Sequence, residues 1–271
     1  MSFETLRAPP AYLAAILLAS TLSSTSCDPG SPVVNQFMAE EPFSFTYDVV
    51  DQLRLDLEAI TGNIRITGVV DATTVTVEGE LRVWSNSPED AEAGLDDLDV
   101  VVEEGAEGFL VRTDQPETGS RFYEVDYEIR LPDSFAVSVV NGNGEIIVEF
   151  VKESVSVASV VTIVDLQEVE GDVSAQIVNG SIGAEVTLQL DGVVDIAVAN
   201  GNITLEIPTD TSAEVVLEVT CCGWSFSNLD VQNLQESSPG VFPPTVTGTL
   251  GAGQGTISLS VGNGIITVVG V

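Results

Sequence analysis

Val193-Val-Asp-Ile-Ala-Val-Ala-Asn-Gly-Asn-Ile-Thr-Leu-Glu-Ile207 reads as an alternating strand, a tight turn at Asn200-Gly201, and a second alternating strand. Val194, Ile196 and Val198 share one face before the turn, and Ile203, Leu205 and Ile207 share one after it. That is the period-two pattern of half-buried β-structure. Asn-Gly adopts positive φ readily, which suits it to a corner.

The unit recurs. Its motif, Asn/Thr-Gly-x-Ile-x-aliphatic, stands at Thr61–Ile66, Asn143–Val148, Asn179–Ala184, Asn200–Leu205 and Asn263–Val268. Degenerate copies lie at Val161–Leu166 and at Cys221-Cys-Gly-Trp-Ser-Phe226, where Trp224 and Phe226 replace aliphatics. From Asn143 onward the steps are 18, 18, 21, 21 and 42 residues. The positions two, four and six before each turn keep one phase: Ile177, Ala175, Val173; Val198, Ile196, Val194; Val219, Leu217, Val215; Val261, Leu259, Ile257. Two further copies carry one polar residue each, Asn141 and Ser159.

A unit of about 20 residues buries too few aliphatic side chains to offset the entropy of ordering its backbone. It must stack on its neighbours. Equal phase at near-equal spacing predicts an all-β chain, a parallel β-solenoid (β-helix) of about 18–21-residue repeats. The competing arrangement is an antiparallel sandwich in which each Asn-Gly is a two-residue hairpin. The predicted corner residues are Gly62, Asn143, Gly144, Asn179, Gly180, Asn200, Gly201, Asn263 and Gly264. Asn179 and Asn200 share parity with the inward Val and Ile, which predicts an amide ladder inside the corner. Residues 79–131 break the rhythm and read as an antiparallel β excursion, with a polar loop or helical turn at Ser85–Gly94.

The 271 residues carry 42 Asp and Glu against 8 Lys and Arg, a formal charge of −34. Such a chain repels nucleic acid and anionic lipid, so neither is an expected partner. The charge suits solubility of a Val-rich sheet, very salty surroundings, or cation binding. Histidine is absent, which removes the commonest general base at neutral pH.

Residues 1–27 read as a lipoprotein-type signal segment. Arg7 precedes the apolar run Ala11–Leu22, too short to span a bilayer comfortably, and small residues lead to Cys27, the candidate lipidation site. Residues 28–42, opening with Asp28-Pro-Gly-Ser-Pro32, read as a flexible tether, and residues 43–271 as the folded domain, beginning near Phe43. The expected address is the cell envelope, with membrane contact through the lipid anchor alone.

The units VVNGNGEIIVE, IVNGSIGAEV and VANGNITLEI, the approach YEIRLPDSFAVSV and the close GAGQGTISLSVGNGIITVVGV make residues 50–271 similar to the bacterial putative-adhesin family of β-strand repeat proteins. The resemblance implies an exported or envelope-associated β-repeat protein with a non-catalytic role in surface binding or structural display. A cell-surface or extracellular glycan or protein is the implied partner. Much of that family has no assigned function, and no catalytic residue carries over.

Other chemistry is weighed against this. Outward Asp165, Asp172, Asp191 and Asp195 could form the carboxylate pair of a carbohydrate-active β-helix enzyme, although in so acidic a chain pairs arise by accident. The runs Glu89-Asp90, Asp96-Asp97-Leu-Asp99 and Glu103-Glu104 could take calcium but lack a spaced-ligand loop signature; the default reading is a solvated face. No other cofactor is expected. Cys221 and Cys222 read as small buried residues replacing a turn, with an adjacent-residue disulfide as the alternative. No charged residue follows Glu236. The terminal repeat, ending Ile265-Ile-Thr-Val-Val-Gly-Val271, is therefore expected to be an edge, either covered by Ser238–Thr249 or open to self-association.

Overall fold

A computed structural model describes residues 36–116, 119–238 and 243–271. The signal segment and Cys27 lie outside the described residues. Among the described residues sixteen strands form one mixed sheet that does not close into a barrel. Its middle is a run of parallel ladders. Each repeat supplies one rung, bent at a corner into two limbs whose inward residues fill a single hydrophobic core.

The rungs from the middle of the chain are β8 (Ala136–Glu149), β9 (Val155–Val169) and β10 (Val173–Val186). The next comprises β11 (Val193–Asn200) and β12 (Ile203–Ile207). They pair in parallel, Val139 with Val157 and Ala175 with Val157 and Ile196. The limbs either side of Asn-Gly pair with neighbouring rungs rather than with each other, so the corner is not a hairpin turn. Val194, Ile196, Ile203, Leu205 and Ile207 are completely buried. Each such side chain contributes roughly 2 kcal/mol of burial.

The rungs do not stack in chain order. The C-terminal strand β16 (Gly255–Gly270) lies between β11/β12 and β13 (Ala213–Ser227), parallel to all three. This corrects the expectation that the terminal repeat is an edge: it is an inner rung paired on both sides. The step of 42 residues between Cys221 and Asn263 has the same origin. Between those rungs the chain makes β14 (Val231–Glu236) and β15 (Thr245–Leu250). The β15 strand lies antiparallel on the first limb of β13, with β14 outside it.

The N-terminal region repeats the arrangement. A rung of β2 (Arg54–Glu58) and β3 (Ile64–Val69) sits between β8 and a rung of β6 (Gly108–Asp114) and β7 (Phe122–Pro132). The expected antiparallel excursion is therefore only partly antiparallel. Its β4 (Thr74–Ser85) and β5 (Asp99–Glu104) do pair antiparallel with β7 and β6. But β6 and β7 join the parallel stack. The outer strand β1 (Phe37–Asp48) covers β4, so the sheet begins at Phe37, ahead of the expected Phe43.

The polar stretch after Ser85 forms α1 (Pro88–Leu95), with Ser87 as its N-cap accepting from the Asp90 amide at 3.1 Å. Hydrogen bonds from Arg121, at 2.8 Å, and from Ser85 hold the Asp90 carboxyl at about 2, below its ordinary 3.8. A pKa depressed by folding gives stability that is present above the unfolded value and lost as pH falls through the folded one. Asp90→Asn is therefore expected to lower the urea midpoint at about pH 5, and the gap to the parent should close as pH falls from about 4 to about 2. A gap that persisted unchanged to the lower pH would contradict this.

Candidate functional site

Glycine at the corner is required by contact between rungs. Gly180 and Gly201 both have φ of +146°, and a Cβ on Gly201 would land on the carbonyl oxygen of Gly180. Gly62, Gly144 and Gly264 share the column with φ of +135°, +133° and +156°. In β9 the position belongs to Thr162, whose hydroxyl donates to the Gly144 carbonyl.

The neighbouring column carries Asn143, Asn179, Asn200 and Asn263, all at least partly exposed. The Asn200 amide nitrogen donates to Asn179 Oδ1 at 3.1 Å, and that of Asn263 donates to Asn200 Oδ1 at 2.7 Å. A ladder therefore exists, but it faces solvent, which corrects the expected internal one. The positive-φ glycine shifts the alternation, placing the preceding Asn on the outside of the bend. One residue beyond the glycines, side-chain oxygens take amides from adjacent rungs: Asn63 from Glu145 at 3.1 Å and Asn202 from Ile265 at 3.0 Å.

Beside the ladder, on the outer face of the first limbs, a groove of about 700 Å³ crosses β8, β9, β10, β11 and β16. One column of its lining is Val140, Ala158, Gln176, Ala197 and Ser260, in register. A second is Gly142, Val160, Val178, Ala199 and Gly262. None is charged. Val160 is 53 % exposed, and Val161 and Ile163 continue the aliphatic surface around the corner at 48 % and 60 %. Asn141 and Ser159 lie buried in adjacent rungs at the groove; Asn141 Oδ1 and Ser159 Oγ have no protein partner.

Cys221 and Cys222 stand in register with Asn263 and Gly264. They are exposed rather than buried and are joined by a disulfide between adjacent residues. This corrects the small-buried-residue reading.

The candidate carboxylates are not brought together. Asp165 lies on a second limb and bonds Gln167, and Asp195 lies on a first limb opposite Ser174 and Ser258. Asp172 accepts from the Val193 amide at the start of β11, and Asp191 occupies a turn with φ of +63°. In the acidic runs, Arg121 bridges Asp90 and Asp97, using carboxylates a calcium ion would need. Among the described residues no group of three or more His, Cys, Asp or Glu is arranged to hold a metal.

One cluster has no counterpart among the sequence expectations. Arg82 on β4 reaches Glu80 on its own strand and Glu124 and Asp126 across the antiparallel β4/β7 pair, beside a smaller cleft of about 370 Å³. Burial opposes the guanidinium charge, but hydrogen bonds to Glu80, Asp126 and Glu124 outweigh it and raise its pKa. Glu80-x-Arg82 and Glu124-x-Asp126 alternate outward on their strands. That signal is visible in the sequence; the register that joins them is not.

No family model matches the chain, and no curated protein does. Solved structures do. A "putative cell adhesion protein" from Clostridium sporogenes ATCC 15579 is 15 % identical, with a TM-score of 0.45, covering 85 % of this chain and 100 % of its own. "Putative adhesins" from Bacteroides fragilis NCTC 9343 and Parabacteroides distasonis ATCC 8503 are 12 % and 11 % identical, with TM-scores of 0.33 and 0.34. Each covers 85 % of this chain and 97 % of its own. Likeness at this level decides nothing about function.

Proposed function

We propose that the protein is an exported, non-catalytic, adhesin-like parallel β-solenoid that binds at a bacterial cell surface, lipid-anchored through Cys27. The reading rests on the groove. On a chain of formal charge −34, five adjacent rungs present an uncharged concave strip. Its rungs recur at about 4.8 Å, close to the advance of one sugar ring in an extended chain. Its aliphatic floor suits the C–H faces of such rings. Gln176, Ser260 and the exposed Asn ladder supply hydrogen-bonding groups at its side. A neutral, extended glycan is the ligand class this strip fits; acidic polymers meet repulsion from the surrounding carboxylates.

A screen of neutral, acidic and cationic glycans, with and without calcium, tests this. Binding is expected for neutral chains only and without calcium dependence. Val178→Asp, at an exposed position, should weaken it at least tenfold, about 1.4 kcal/mol. Binding indifferent to Val178→Asp would remove the groove from the account, and turnover of any glycan would overturn the non-catalytic reading.

A further inference from the structure

The two ends of the stack are finished differently. At one end both limbs of the last parallel rung are covered, β6 by β5 and β7 by β4 and then β1, and β1 carries Glu40, Glu41 and Pro42, residues that discourage further strand pairing. At the other end only half of the last rung is covered. The first limb of β13 lies under β15, whereas its second limb, Cys222–Ser227, pairs with β16 alone and has no strand on its outer side among the described residues. That free edge is Cys-Gly-Trp-Ser-Phe-Ser. It contains no charge and no proline, and the neighbouring limb Gly264–Gly270 contains none either. Trp224 and Phe226, edge to face at 5.6 Å between centroids, close the core here and stay partly exposed. The Cys221–Cys222 disulfide fixes the backbone where the edge begins.

We propose that this edge pairs with the same edge of a second copy, antiparallel about a two-fold axis, to make a dimer with one continuous sheet. A two-fold contact is self-complementary. Centred on Ser225, it sets Trp224 opposite Phe226 and Gly223 opposite Ser227, so the half-covered aromatics of both copies meet on one face. Charge selects the occupant. Two copies at −34 repel wherever carboxylates face each other, and this edge lets them approach with none on either strand. The proposal is independent of the groove, which lies on the outer face of the first limbs. A six-residue edge with two aromatics buries less than the roughly 1,200 Å² of a standard interface, so the dimer is weak, with Kd of order 100 µM.

Salt gives it a signature. Screening reduces the repulsion between like-charged bodies, so association strengthens as salt rises, opposite to an association held by ion pairs. The test is sedimentation of the full chain carrying Cys27→Ser, alone and with Ser225→Glu or Ser227→Glu. Both serines are exposed, so the fold is retained, and a melting curve checks this. The expected result is a monomer–dimer equilibrium whose association constant rises at least threefold between about 0.05 M and about 1 M salt. It should be lost in both variants. A chain monomeric at several times the expected Kd and high salt would overturn the proposal, as would a dimer that either variant leaves intact.

Discussion

Deleting residues 255–271 is expected to leave a chain with no cooperative unfolding transition. Those residues include the whole of β16, which pairs with β11 and β12 on one side and β13 on the other. Ile257, Leu259, Val261, Ile266 and Val268 are each at most 1 % exposed. Their burial alone is worth about 10 kcal/mol, comparable with the roughly 5–15 kcal/mol net stability of a typical domain. The deletion also strips both flanking ladders of their partners. Urea unfolding followed by circular dichroism checks this. A single change calibrates it: Leu259→Ala, at a completely buried position, should cost about 2–5 kcal/mol and lower Tm by roughly 10 °C. A deleted chain that still melted cooperatively near the parent temperature would mean that β13 can dock directly on β11.

Gly201→Ala is expected to destabilise by roughly 3 kcal/mol or more, because two effects coincide there. An alanine must adopt a φ of +146°, and its Cβ must occupy the place of the Gly180 carbonyl oxygen. The Gly201 amide donates to the Asn263 carbonyl at 2.9 Å, so a shift that relieves the clash disturbs the rung beyond. Gly223→Ala separates the two effects. Gly223 has φ of +123°, but a methyl added there would meet nothing within 4 Å, so only backbone strain of about 1–3 kcal/mol applies. Equal losses in the two variants would show that contact between rungs contributes nothing at the corner.

The repeats, their phase and the corner positions are legible because each rests on neighbours in sequence. Alternation of Val194, Ile196 and Val198 is local, and so is the demand for Gly at positive φ. The side on which the Asn ladder lies is written there too, but in the strand after the corner rather than the one before it. Inward residues are even-numbered before the corner and odd-numbered after it, at Ile203, Leu205 and Ile207. That change of parity places Asn200 on the outside of a bend. Rung order is not legible. Val194 could face Val215 or Ile257 with equal local consistency, and only the hairpin of β14 and β15, packed on the far side of β13, selects Ile257. The groove escapes for the same reason. Val140, Ala158, Gln176, Ala197 and Ser260 become one strip only when five rungs are placed side by side. The Arg82 cluster depends likewise on the β4/β7 register.

The inner position of the last strand governs how the molecule responds to time and to force. A chain made from its N-terminus reaches β13 before the rung that belongs beneath it exists, so assembly cannot follow synthesis rung by rung. A gap has to stay open until β16 is made. Tension applied at Val271 meets the converse. It does not peel away an outer strand, but must shear one held along both edges while the rungs on either side still grip it.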